Sequence, residues 1–279
     1  MKIGVYFFST AYAMPIDELA RALEERGFSS LFLPEHTHIP TSRRSPWPTG
    51  GELPREYSNT LDPFVALATA AAATKNLRVG TGICLVSQRD PIITAKSVAT
   101  LDLVSGGRVD FAMGAGWNAE EMENHGTVFE ERFKVLEDRA KAIKTIWTED
   151  EASHDGPFVK FDPIWCWPKP VQKPHPPMLL GGETKYTLKR VVDFCDGWFP
   201  RPRGFQDPQA RMAEFRQVAD EAGRDFATLS TTVFGAPPDT DYLKACKQAG
   251  VDRVLFQLPS EGREVLLPKL DELTRFIPA

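Results

Sequence analysis

Eight short apolar runs, each followed by a stretch with helical spacing, organise this chain of 279 residues. The first, Ile3 to Phe8, is followed beyond Pro15 by Ile16, Leu19, Ala20 and Leu23, which share one helix face until Gly27. Ser30 to Pro34, Leu77 to Val86 and Val109 to Gly114 repeat the strand signal. Helices read over Phe64 to Thr74, Ile92 to Leu103 and Phe129 to Trp147 follow them. The remaining strands are Met178 to Gly181, Trp198-Phe199, Leu229 to Phe234 and Val254 to Leu258. Their helices are Thr184 to Phe194, Pro208 to Ala222, Tyr242 to Ala249 and Val265 to Phe276. Alternation of this kind implies a parallel sheet, because each helix carries the chain back to the start of the next strand. Eight units in this length predict an α/β fold of the (β/α)8 TIM-barrel type, one domain over residues 1–279, rather than a doubly wound sheet.

Three of the strands end in paired glycines: Gly80 and Gly82, Gly114 and Gly116, and Gly181 and Gly182. Strand C-termini form the active-site face of such a barrel, and a backbone without side chains can touch a flat or phosphorylated ligand there. Two Pro- and Trp-rich segments interrupt the rhythm, at 37–60 and at 150–177. Long irregular loops are commonly lids or binding walls, and both are read here as walls of the substrate pocket. The first follows a strand C-terminus and contains Trp47.

Composition narrows the function classes. The 33 basic and 38 acidic residues are spread along the chain and leave a net charge of −5, so no basic face is available for a nucleic-acid backbone. The start, Met1 to Phe8, lacks the features of a signal peptide, and no run approaches the roughly 18 apolar residues of a membrane span. A cytoplasmic protein is expected, without membrane or nucleic-acid partners. Cys84, Cys166, Cys195 and Cys246 are far apart and read as buried free thiols. His36 and His38 form an H-x-H pair with no further ligands nearby, so no metal site is expected.

Several segments occur in an order that resembles the bacterial luciferase-like superfamily. They are Leu33-Pro34-Glu35-His36, Val79 to Ile83 with Gln88 to Pro91, Leu101 to Val109, Gly114-Ala115-Gly116-Trp117-Asn118 and Leu180-Gly181-Gly182. Within that superfamily the closest resemblance is to actinobacterial F420-dependent oxidoreductases. It implies a non-prolyl cis peptide at Gly82-Ile83, forming a bulge behind the central ring of the cofactor. It also implies that Glu35 contacts the polar ring edge and that His36 lies near the hydride-transfer face. Histidine titrates near neutrality and can balance the charge left when hydride moves.

Ala115, Gly116 and Asn118 form a turn with room for backbone contact to the cofactor. Gly181-Gly182-Glu183-Thr184 opens a helix whose amides and dipole suit a phosphate, or else is a plain turn capped by Thr184. Some F420 enzymes carry a catalytic glutamate directly after the glycine that aligns with Gly116; here Trp117 stands there and is read as a wall of the substrate pocket. The neighbouring Glu120, Glu121 and Glu123 either substitute for that glutamate or form a solvated acidic face, and the second reading is preferred. Arg201 and Arg203 either meet an anionic tail or remain solvated.

The resemblance thus implies an oxidoreductase passing hydride between F420 and an organic small molecule, with His36 catalytic and a homodimer as the assembly. An FMN-dependent monooxygenase and a cofactor-binding barrel without turnover are the alternatives.

Overall fold

The computed structural model describes residues 1–277. Its elements run β1 (Lys2–Phe7), α1 (Ile16–Glu25), β2 (Ser30–Leu33), α2 (Glu56–Asn59), α3 (Pro63–Ala72), β3 (Arg78–Leu85), α4 (Pro91–Ser105), β4 (Val109–Gly114), α5 (Ala119–Asn124) and α6 (Arg132–Thr148). They continue with β5 (Ala152–Asp155), β6 (Lys160–Ile164), β7 (Met178–Gly181), α7 (Lys185–Phe194), β8 (Gly197–Phe199), α8 (Pro208–Glu221), β9 (Ser230–Phe234), α9 (Thr240–Ala249), β10 (Arg253–Leu258) and α10 (Arg263–Leu273). Eight strands close in the order β1-β2-β3-β4-β7-β8-β9-β10, every pair parallel. The (β/α)8 barrel expected from the alternation is therefore the fold, and no helix among the described residues is long and apolar enough to cross a membrane.

Local chemistry sets the helix starts. Asp62, Asp90 and Asp207 each precede a proline, and each side chain accepts backbone N–H bonds from the first turn of α3, α4 or α8. Proline at the first helical position has the required φ and no amide to satisfy, so an Asp-Pro step is a strong start signal.

Side chains alternate across each strand. Tyr6, Phe32, Ala112, Phe199 and Leu255 fill the barrel interior, whereas Phe111 faces outward onto Trp147. Below that interior layer lies a charged plug. Asp110 accepts bonds from Arg78 at 2.8 and 2.9 Å and from Arg253 at 2.7 Å. Burial raises the Asp110 pKa, but the two guanidinium groups outweigh it and hold the carboxyl below its usual range.

The segment 150–177 corrects an expectation. It contains the antiparallel β5-β6 hairpin instead of an irregular loop, and none of its residues lines the cavity at the strand C-termini. It joins the end of α6 to the start of β7, so it belongs to the opposite end of the barrel. Asp138 of α6 ties the hairpin down, bonding His154 at 2.8 Å and the amides of Phe158 and Val159. Gln172 reaches Asp102 and the Arg78 end of the plug.

Candidate functional site

A cavity of about 560 Å³ opens at the strand C-termini. Its floor is the upper interior layer, with Tyr6, Phe199 and Phe234 in contact with one another. Gly82 and Ile83 line it, and their peptide bond is cis, as the resemblance implies. The β3-β4 register shifts between Thr81 and Cys84, so the backbone bulges at this point. A side-chain carbon on Gly114 would fall 2.1 Å from Ile83 Cδ1, so the bare end of β4 leaves Ile83 its place.

His36 follows β2 and its ring lines the cavity. Nδ1 lies 2.7 Å from Glu121 Oε2, while Nε2 has no protein partner among the described residues. With the proton on Nδ1 given to the carboxylate, Nε2 is an acceptor in the neutral ring and a donor in the protonated one. The His36 side chain is 6% exposed and that of Glu121 is fully buried, so the pair is shielded from bulk water. Burial pushes the Glu121 carboxyl up, but the bond to His36 and the Thr37 amide outweigh it and leave its pKa below the ordinary value.

This contradicts the reading of Glu120, Glu121 and Glu123 as a solvated acidic face. Asn118 caps α5 by accepting the Glu121 amide at 3.1 Å, which turns two of the three carboxylates toward the loop after β2. Glu121 Oε1 receives the Thr37 amide at 3.0 Å, and Glu120 receives Ser42 at 3.1 Å and the Ser45 amide at 2.9 Å. Glu123 alone is exposed, paired with Arg44. The sequence did carry a signal for this: Asn118-x-x-Glu121 directly after a barrel strand is an N-terminal cap with its third residue acidic.

These carboxylates make the moored loop sensitive to acid. Glu120 is held at about 2, where burial raises its pKa but the Ser45 and Ser42 bonds outweigh it. A carboxylate depressed on folding stabilises the protein above the unfolded pKa of about 4.3, and that contribution fades as pH falls toward the folded value. Melting temperature is therefore expected to drop steadily between about pH 4 and 2, less so in Glu120→Gln. A wild-type curve flat over that range would contradict the mooring.

The other expected site residues fall into two groups. Ala115, Gly116, Trp117, Trp47, Gly181, Gly182 and Glu183 line the cavity. Asn118 and Thr184 do not; their side chains cap α5 and α7. Glu35 lines the cavity, but both of its oxygens are engaged. Oε2 accepts the Leu85 amide at 2.7 Å, and Oε1 pairs with Arg89, which also holds Asp62. Arg89 was not read as a site residue, yet it fixes Glu35 against the end of β3.

At the opposite rim, the backbone amides of Gly182, Glu183, Thr184, Lys185 and Tyr186 have no protein acceptor among the described residues. Gly182 has φ +134°, and a side-chain carbon there would come 2.6 Å from Thr187 Oγ1. Arg201 pairs with Glu183 at 2.7 Å, and Arg203 lies 3.9 Å from the same carboxylate. Donors converging at a helix start suit an anionic group.

Residues 4–239 match the model of the luciferase-like monooxygenase family. The chain belongs to that family. An uncharacterised Mycobacterium tuberculosis protein is 38% identical over 268 residues, covering 95% of this chain and 94% of its own. Among solved structures, an F420-dependent secondary alcohol dehydrogenase in complex with an F420-acetone adduct superposes with a TM-score of 0.77 at 20% identity, covering 99% of this chain and 98% of its own. A monooxygenase from Streptomyces bottropensis does so equally well, with a TM-score of 0.77 at 19% identity over 99% and 98% of the two chains. The luciferase-like fold is thus shared with both hydride-transferring and oxygenating proteins, and membership places this chain among enzymes.

Proposed function

We propose that this luciferase-like protein is an F420-dependent oxidoreductase that transfers hydride between the deazaflavin and an organic small molecule. The observation that carries the proposal is the His36-Glu121 pair, with Nε2 free of protein partners at the cavity wall among the described residues. Moving hydride to or from a carbon that bears oxygen requires a proton to move at that oxygen. His36 would donate or accept it at Nε2, and the Glu121 carboxylate would hold the ring in one orientation and stabilise its protonated form.

The residues present fit a cofactor of this type. The cis bulge at Gly82-Ile83 and the ring of Phe199 offer a flat apolar bed, and the unpartnered amides from Gly182 onward would receive a phosphate. When bound, F420 supplies a two-electron centre that exchanges hydride and does not readily activate oxygen; the protein orients it and excludes water. A relative named F420-dependent hydroxymycolic acid dehydrogenase of Mycobacterium tuberculosis, 24% identical over 213 residues, is consistent with the choice.

A second reading has its own support. The FMNH2-dependent dimethylsulfone monooxygenase of Pseudomonas putida is 31% identical over 155 residues, covering 54% of this chain and 42% of its own. The amide cradle accepts the phosphate of either cofactor. Equilibrium titration separates the two: F420 is expected to bind at least about tenfold tighter than FMN, a difference of roughly 1.4 kcal/mol. The reverse order, with oxygen uptake in the presence of reduced FMN, would establish the monooxygenase instead.

A further inference from the structure

We infer that the part of the cavity under the loop after β2 receives an organic cation, a protonated amine or quaternary ammonium group, held by the Glu56 carboxylate within an aromatic cage of Trp47, Tyr57 and Trp117. This specifies the substrate class of the site described above and rests on the proposed function for the reaction, though not for the binding itself.

The rings come from three places in the chain. Tyr57 stands between Phe8 and Trp47, with centroids 4.7 and 6.0 Å away, and the Trp47 ring is turned 74° to it. His36 links Tyr57, at 5.4 Å, to Trp117, at 5.7 Å and 71°. Trp47, Tyr57 and Trp117 all line the one cavity, and the Trp47-Tyr57 and His36-Trp117 pairs meet edge to face. Their negative faces attract a cation, most strongly where water is excluded.

The charges point the same way. Among the ionisable residues that line the cavity, Glu35 is paired with Arg89, His36 with Glu121, and Glu183 with Arg201. Glu56 is the one charged side chain of the lining with no ion pair or hydrogen bond among the described residues. The adjacent Arg55 does not line the cavity, and its guanidinium lies 4.3 Å over the Tyr12 ring. The phenols nearby feel the uncompensated carboxylate. Burial raises the pKa of Tyr6 and Tyr57 most, and the charge of Glu56 adds to it against the opposing charge of Arg201 and, at Tyr57, the contact with Trp47, so each remains a neutral hydrogen-bond donor at physiological pH.

The cavity is therefore polarised. One rim offers backbone amides to an anion, and the other offers a carboxylate and aromatic faces to a cation. A phosphorylated or carboxylate substrate would meet Glu56, and the base on that wall, Arg201, is already paired with Glu183. An amine or quaternary ammonium compound would supply the missing counter-charge.

The test compares choline with its uncharged isostere 3,3-dimethylbutan-1-ol, each titrated into the full-length protein and followed by tryptophan fluorescence and calorimetry. Choline is expected to bind about tenfold tighter or more, and Glu56→Gln is expected to erase that preference while leaving F420 affinity unchanged. Equal binding of the two probes, absence of choline binding, or a preference that survives Glu56→Gln would overturn the inference. A parallel F420 titration keeps the two claims apart. Failure of F420 to bind while choline is preferred would overturn the proposed cofactor alone, and the converse would overturn the cation cage alone.

Discussion

Replacing His36 by alanine is expected to lower turnover by about 10²-fold or more while changing cofactor affinity much less, in line with the loss of a positioned general acid or base. Among the described residues the imidazole is the only ring on the cavity wall backed by a buried carboxylate, and its Nε2 has no protein partner. Water admitted in its place would lack a fixed orientation. The substitution also strips Glu121 of one partner, although the Thr37 amide still bonds its other oxygen at 3.0 Å. Rates must therefore be normalised to folded protein by a parallel melting curve. A variant that binds the cofactor weakly but turns over at the wild-type rate would show that His36 serves binding and not proton transfer.

The largest effect on stability is expected at the other end of the barrel. Asp110 is 4% exposed and pairs with both Arg78 and Arg253. Asp110→Ala would leave the Arg253 guanidinium, itself 9% exposed, facing Arg78 with no anion between them. Breaking a buried pair by removing one partner typically costs about 3–5 kcal/mol, because the surviving charge remains desolvated. For a chain of this size that corresponds to a fall in melting temperature of about 6 °C or more. The Arg253→Met single variant should cost less, since Arg78 still pairs with Asp110 and methionine fills part of the space. Equal melting temperatures for wild type and Asp110→Ala would show that the plug contributes little.

The barrel was legible because its units are local: an apolar run, a turn residue and a helical face lie within a few tens of residues of one another. The glycine-ended strands were legible for the same reason, and Gly82, Gly114, Gly116, Gly181 and Gly182 do meet around one cavity. What could not be read depended on partners far apart in the chain. The bond from His36 to Glu121 spans 85 positions and that from Arg89 to Glu35 spans 54. Three glutamates on six residues look solvated until the loop that docks on them is in place.

The 150–177 segment was misassigned for a topological reason. Richness in proline and tryptophan marks a loop with something to do, but its end of the barrel follows from whether a helix or a strand precedes it. Trp165, 80% exposed and remote from the cavity, shows that composition alone does not locate a binding wall.

Anaerobic hydride transfer tests the function most directly. Reduced F420 is mixed with the protein and a panel of carbonyl and imine compounds, including cationic ones, and oxidised F420 is followed by absorbance as it forms. The expected result is protein-dependent oxidation with at least one acceptor and its near abolition in His36→Ala. Tight binding of F420 with no hydride loss across the panel would contradict an F420-dependent oxidoreductase.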